Sequence, residues 1–460
     1  MKLNLVLLTV LSTVYALPVI KKRANNPYLV CGGSDYECKK EQADACYTKA
    51  NKCWSTSTDV QSCNELGKLC EEIWTSGEVQ VDQIVNSVKS IPTETVVSVV
   101  KRALNTFQPS KENVKILGRG LYLEKEGSLW FGLTDSGVEY KFNGKSTTIS
   151  LTADSSAAST DNPARIVILA DGELYKDDTV KSVESEFDVT FETSGEHIVR
   201  FMKVSECPNG SVRITAIKAD AEKIEPTADA EKKIEFIGDS ITCAYGVDGT
   251  EGTFSTKTED GTKSYAYLAS KQLNADYSMV SFSGFGIISG YSTDGTRNLV
   301  STVPQYYDKL GFSYWNQFGS DITQLKEVSW DASQFVPDLV IINLGTNDNS
   351  YMQNVKGDRA KEEADFVEEY VKFIEQIRSV HPDAEILCTL GIMGQELYPQ
   401  IEEAVSTYKA ASGDEKVNAF KFNQQNINKN GKGIDWHPAP QSHVEAAEEL
   451  VAEIKKLYGW

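Results

Sequence analysis

The sequence predicts an α/β protein. Its main part is a three-layer αβα unit with a parallel sheet. An antiparallel β-sandwich of jelly-roll type precedes it, and a small disulfide-rich helical module comes before that. Three observations carry this prediction. Short apolar segments alternate with amphipathic helical stretches from residue 231 to 460. Closely spaced β-branched and aromatic segments fill residues 111–222. Six of the nine cysteines fall between Cys31 and Cys70. At 460 residues the chain is long enough for two or three folded units.

In chain order, residues 1–16 read as a signal peptide: Lys2, a short apolar run, then the small residues Val14 and Ala16 at the positions a signal peptidase reads. The run is shorter than the roughly 20 residues that span a bilayer. Residues 17–30 read as a propeptide or spacer holding Lys21-Lys22-Arg23, and the mature protein is expected to be extracellular. Residues 31–76 form the cysteine module. Cys46 and Cys53, like Cys63 and Cys70, are seven residues apart, so each pair shares one helix face. Two antiparallel helices could then join Cys46 to Cys70 and Cys53 to Cys63, leaving Cys31 with Cys38. This is one of the fifteen ways six cysteines can pair. A zinc site lacks support, because there is no C-x-x-C and no histidine nearby. Residues 77–110 read as a helical connector broken at Pro92.

Residues 111–222 alternate as strands do at 128–133, 138–142, 147–151, 165–170, 187–191, 197–204 and 211–218. Asn143-Gly144, Asp171-Gly172 and Asn209-Gly210 read as turns, and 219–230 as a linker. Asn209-Gly210-Ser211 is also a glycosylation sequon. In 231–460 the apolar segments 234–237, 279–282, 339–344, 386–390 and 417–422 read as buried parallel strands. Phe366, Val367, Tyr370, Val371, Ile374 and Ile377 mark one amphipathic helix, and Ala447, Leu450, Val451, Ile454 and Leu457 another.

Ligands of such sheets bind beyond the carboxyl ends of the strands. Gly238-Asp239-Ser240-Ile241-Thr242 follows the first strand, Ser283-Gly284-Phe285-Gly286 the second, and Gly345-Thr346-Asn347-Asp348 the third. A glycine-rich loop and Asp435-Trp436-His437-Pro438 follow the last. Each signal is weak alone. Four at one sheet edge suggest an acyl-transfer site. A serine on a strand-to-helix turn needs a histidine to take its proton, and the tetrahedral oxyanion needs donors. Ser240 and His437 are the candidate nucleophile and base. The Ser240 and Gly284 N–H groups and the Asn347 amide are the candidate oxyanion donors. Asp239 and Asp348 are expected to hold the loops. Trp436 is a candidate sugar platform, with Tyr306 and Tyr307 as weaker ones. His197, His381 and His443 read as structural, His443 at the surface.

These motifs resemble those of the SGNH (GDSL-type) hydrolases, whose serine, glycine, asparagine and histidine match Ser240, Gly284, Asn347 and His437. More narrowly, Gly-Asp-Ser-Ile-Thr-Cys-Ala-Tyr-Gly at 238–246, Lys-Ser-Tyr-Ala-Tyr-Leu at 263–268, Asn-Leu-Gly-Thr-Asn-Asp at 343–348 and Asp-Trp-His-Pro at 435–438 are similar to carbohydrate esterase family 2. That resemblance implies a β-sandwich ahead of the catalytic domain and removal of O-acetyl groups from xylan or glucomannan. It covers the C-terminal half well, 111–222 weakly, and the cysteine module not at all. The sequence departs from the common Asp-x-x-His, since Asp435 lies two residues before His437. Either Asp435 or a backbone carbonyl could orient the imidazole.

The net charge of −20 argues against nucleic acid or an anionic membrane as partner. An acetylated, uncharged polysaccharide is compatible with it. No P-loop, dinucleotide fingerprint or metal-ligand spacing is present, so no cofactor or metal is expected. Two other readings stay open: an esterase acting on a lipid or other small ester, and a carbohydrate-binding or scaffold-docking role, the latter above all for the cysteine module.

Overall fold

The computed structural model describes residues 40, 42–48, 70, 104–313 and 324–460. The chain divides into two compact units, Met1–Val100 and Lys101–Trp460. In the first, residues 42–48 are helical, and Cys46 is bonded to Cys70 with 5.5 Å between their Cα atoms. The signal peptide, the spacer, the other four cysteines of the module and most of the connector lie outside the described residues. No helix among the described residues is long and apolar enough to cross a membrane.

The second unit opens with a ten-stranded antiparallel sheet. Its backbone is two long strands, Ser136–Ala153 and Glu184–Lys203, paired with each other along their length. Sequence patterning splits each of these into two strands, with a turn at Asn143-Gly144. The chain instead runs straight through a bulge between Gly144 and Ser146, where Gly144 faces Gly195. Two facing glycines let the strands bend, and the Asp220 carboxylate accepts the N–H groups of Lys145 and Ser146 at 2.7 and 3.0 Å. Before the bulge, Ser136–Ala153 pairs with Lys115–Leu117 and Ile224–Pro226. After it, it pairs with Val212–Ala219. Leu129, Phe131, Tyr140, Phe187, Phe201 and Ile214 fill the core so enclosed. Two boundaries shift. The expected linker contains the strand Ile224–Pro226, and the end of the expected helical connector is the strand Asn105–Phe107. The expected turn at 209–210 is a short 3-10 helix, Cys207–Asn209, and Ser211 is buried with its hydroxyl bonded to Trp130 and Asp154.

The five parallel strands fall where the apolar segments predict: Lys232–Gly238, Ala275–Ser281, Leu339–Asn343, Glu385–Leu390 and Val417–Lys421. Spatially the second strand lies outside the first, and the third, fourth and fifth follow on its other side. The first strand is therefore the point where the winding direction reverses, and a crevice opens beyond its carboxyl end. Alternate residues serve opposite faces. Ile237, Val280 and Ile342 pack with Phe366, Tyr370, Ile374 and Ile377 of helix Arg359–Val380. Phe236, Met279 and Ile341 pack with Tyr265 and with Ala447, Leu450 and Ile454 of helix Pro440–Tyr458. Each such buried side chain contributes roughly 1.5–3 kcal/mol.

The antiparallel region is fastened to the parallel sheet by a buried ion pair. Arg119 reaches Glu235 of the first parallel strand at 3.2 Å, with both side chains about 1% exposed. The Tyr307 hydroxyl donates to the same carboxylate at 2.8 Å, and the Ser278 hydroxyl at 3.1 Å. Burial works to raise the Glu235 pKa, but Arg119, His381 and Tyr307 together hold it down to about 2. Tyr307 is thus committed to the core and does not serve as a sugar platform. Arg119→Leu strands the Glu235 carboxylate without its cation, and denaturant melts should show a loss of roughly 3–5 kcal/mol.

Candidate active site

Strand Lys232–Gly238 ends at Asp239, which caps the short helix Ser240–Cys243 by accepting the Ile241 N–H at 3.0 Å. Asp239 is the reason the chain turns here, and the turn presents Ser240 at the mouth of the crevice, 8% exposed. The Ser240 hydroxyl lies 2.8 Å from His437 Nε2. The other ring nitrogen, Nδ1, lies 3.0 Å from the Ile434 carbonyl oxygen. A carbonyl can only accept, so Nδ1 carries the proton and Nε2 presents its lone pair to the serine.

Asp435 does not take that third position. Its carboxylate accepts from the Tyr245 hydroxyl at 2.9 Å. The physical reason lies in the backbone. Asp435 and Trp436 both stand in the left-handed region, at φ 50° and 66°, and the tight turn they make carries the Ile434 carbonyl back onto the imidazole. Two non-glycine residues in that region cost roughly 1–2 kcal/mol each. The loop is held against this strain by a Gln425 donation to the Trp436 carbonyl at 2.8 Å and by the Gly433 N–H to the His437 carbonyl at 2.7 Å. The Tyr245 ring packs on His437 with centroids 4.4 Å apart and stacks on Phe254 at 4.1 Å. Burial lowers the His437 pKa below that of a free imidazole, against the raising influence of the Ile434 carbonyl and Asp435.

The donors sit opposite. Gly284 has φ 81°, and a Cβ there would meet nothing closer than 3.9 Å, so backbone conformation rather than space calls for glycine. Gly286, the other glycine of the loop, donates its N–H to the Ser301 carbonyl at 3.2 Å. The Ser240 and Gly284 N–H groups have no acceptor among the described residues. Asn347, in helix Thr346–Met352, donates its amide to the Phe285 carbonyl at 2.8 Å and lies 3.5 Å from Asp239. Asp348 beside it accepts the N–H groups of Ile287, Ile288 and Ser289 at 2.7–3.0 Å, and so shapes the loop that carries Gly284. Burial pushes Asp239 up to about 7, with the neighbouring Asp348 adding to it, and burial pushes Asp348 up to about 6. Both aspartates hold loops, as expected.

Trp436 is 60% exposed beside the crevice, with the Lys432 ammonium 3.5 Å from its ring centroid. Tyr306 is partly buried against Phe285 and Phe312. His443 departs from its expected surface position. It is fully buried, its Nδ1 accepts the Tyr265 N–H at 3.1 Å, and burial drives its pKa down to about 3. His197 and His381 are structural, the first stacked on Phe191 and the second buried near Glu235. The sequence motif contains Tyr245 but gave no sign of its contact with His437. A serine hydroxyl facing a bare imidazole nitrogen, with free N–H groups nearby, is an arrangement that can activate a hydroxyl for attack on a carbonyl.

Residues 234–450 match the GDSL-like Lipase/Acylhydrolase family, and residues 116–227 match the Carbohydrate esterase 2 N-terminal family. The chain is 36% identical over 273 residues to cellulase/esterase CelE of Acetivibrio thermocellus. That match takes in 58% of this chain and 31% of CelE, so the chain spans about a third of that relative's length. It is 26% identical over 275 residues to an acetylxylan esterase / glucomannan deacetylase of Cellvibrio japonicus, taking in 59% of this chain and 70% of that protein. Among solved structures, a family two carbohydrate esterase from Clostridium thermocellum in complex with cellohexaose superposes with a TM-score of 0.64 at 30% identity. It covers 75% of this chain and 99% of that one. An acetyl xylan esterase from the rumen bacterium Butyrivibrio proteoclasticus gives a TM-score of 0.68 at 25% identity, covering 78% and 99%.

The four histidines allow a direct check of the site. In an NMR titration, His437 should stay neutral below the roughly 6.5 of free imidazole, and His443 should stay neutral down to about 3.

Proposed function

The chain belongs to carbohydrate esterase family 2, within the GDSL-like hydrolases, and from that membership we propose that it is a secreted serine esterase removing O-acetyl groups from plant cell-wall polysaccharides such as acetylated xylan or glucomannan. The single observation that carries this reading is the 2.8 Å approach of Ser240 Oγ to the unprotonated Nε2 of His437. Ser240 attacks the acetyl carbonyl and His437 takes its proton. The Ser240 and Gly284 N–H groups receive the oxyanion, and the Asn347 amide joins them by giving up its long 3.5 Å contact with Asp239 while keeping the Phe285 carbonyl. The Ile434 carbonyl accepts from Nδ1–H throughout and meets the imidazolium that forms. His437 then delivers the proton to the departing sugar hydroxyl. Water, activated by the same imidazole, releases acetate from the acetyl-serine. Trp436 offers its open ring to the sugar that bears the acetyl group. The names carried by the relatives support xylan and glucomannan as substrates, and the apolar stretch at residues 3–11 supports export.

Acetate release from acetylated glucomannan and acetylated xylan tests the reading. Ser240→Ala should lose on the order of 10⁶-fold in rate. No release by folded wild type would overturn the proposal. Asp435→Asn should lose less than about 10-fold, far short of the roughly 10⁴-fold seen where an aspartate holds the histidine.

The lowered His437 pKa sets the acid limb. The imidazole must be neutral to accept the serine proton, so kcat/KM on 4-nitrophenyl acetate should fall only below about pH 6.5 as the solution is acidified. A limb at or above that value would contradict the buried geometry.

A further inference from the structure

The backbone N–H groups proposed to receive the oxyanion lie in two segments, the helix that starts at Ser240 and the loop that holds Gly284, and neither N–H has an acceptor among the described residues. One side chain of the antiparallel region holds the loop and touches the end of the helix. The Glu206 carboxylate accepts the Ser283 N–H at 2.7 Å, one residue before Gly284. The same oxygen lies 3.9 Å from the Cys243 sulfur at the end of the helix Ser240–Cys243, a thiol whose nearer partner is the Ser281 hydroxyl at 3.2 Å. Glu206 follows directly from the long strand Glu184–Lys203 and is 4% exposed. Its own backbone is pinned on both sides. Its N–H donates to the Glu259 carboxylate at 3.0 Å, and its carbonyl accepts from the Lys203 ammonium at 3.0 Å. The Lys203 ammonium also donates to the Gly132 carbonyl at 2.9 Å and to the Ser205 carbonyl at 2.6 Å.

We propose that Glu206 is a positioning residue for the oxyanion donors, so that the antiparallel region completes the active site rather than merely preceding it. The inference rests on the esterase reading above. It follows from geometry. The N–H of Gly284 points as its preceding peptide dictates, and the Ser283 end of that peptide is fixed by the Glu206 carboxylate. A buried acceptor removed from a backbone N–H leaves that group to find another partner, and the peptide rotates to do so. A donor displaced by a fraction of an ångström stabilises the transition state less while leaving substrate binding nearly unchanged.

The test compares isosteric replacements. Glu206→Gln keeps an acceptor oxygen for the Ser283 N–H, whereas Glu206→Met keeps the shape and removes the acceptor. Rates on 4-nitrophenyl acetate are normalised to the serine titrated by an organophosphate, so that unfolded protein does not count. Glu206→Met should lower kcat roughly 10- to 100-fold with KM changed less than about 3-fold, a part of the ~10²–10³-fold that loss of an oxyanion donor costs outright. Glu206→Gln should stay within about 5-fold of wild type. Should Glu206→Met fail to fold, Glu206→Asp, which draws the acceptor back by one methylene, carries the same expectation. A normalised kcat equal to wild type in the Met or Asp variant overturns the proposal. So does a Gln variant as impaired as the Met variant. Inactive wild type with an untitratable Ser240 would instead sink the esterase reading itself.

Discussion

The hydrogen bond between His437 Nδ1 and the Ile434 carbonyl is the constraint on which the site depends. It fixes one tautomer without spending a charged residue, and the bare nitrogen it leaves is the one that faces Ser240. The bond exists only because Asp435 and Trp436 accept left-handed backbone angles. Strain in a short loop is therefore exchanged for orientation at the imidazole, and the neighbouring hydrogen bonds from Gln425 and Gly433 keep the exchange from relaxing. A neutral carbonyl in this position also differs in kind from a carboxylate. It orients the ring but gives less electrostatic support to an imidazolium, which fits a histidine whose pKa burial holds low.

The acidic residues around the site serve a different end. Asp239 caps the helix that carries Ser240, and Asp348 gathers three N–H groups of the opposite loop. Negative charge so near a developing oxyanion would oppose it. Burial raises both carboxyls, to about 7 and about 6, and the backbone N–H groups each one accepts offset the charge that remains. The aspartates can then be strong geometric anchors at a reduced electrostatic penalty to the reaction.

Much of this was legible in the sequence. The parallel strands contain apolar runs, because the sheet is covered on both faces, and four of the five are followed by a motif beyond the carboxyl end. Ser240, Gly284, Asn347 and His437 could be picked out for that reason, and the structure gathers them at one edge. Other features were not legible, for reasons that are physical. Gly144 sits in a bulge, and nothing local distinguishes that from a turn, since the deciding partners are Gly195 and the Asp220 carboxylate. His443 lies within a helix whose sequence looks half exposed. Its burial is set by Tyr265, nearly two hundred residues away. The position of Asp435 turns on two backbone dihedrals that residue type does not announce. Glu206 belongs to a segment that looks like an ordinary strand end, and the partners of its carboxylate, Ser283 and Cys243, come from distant parts of the chain.

The second unit carries three unpaired cysteines, Cys207, Cys243 and Cys388, all buried. Thiolates, not thiols, react with oxidants and electrophiles. Burial pushes Cys207 and Cys388 up to about 12 and Cys243 well above its usual range. The three sulfurs of the unit that bears Ser240 and His437 are thus kept as thiols twice over, once by being out of reach of solvent and once by the cost of forming a buried thiolate.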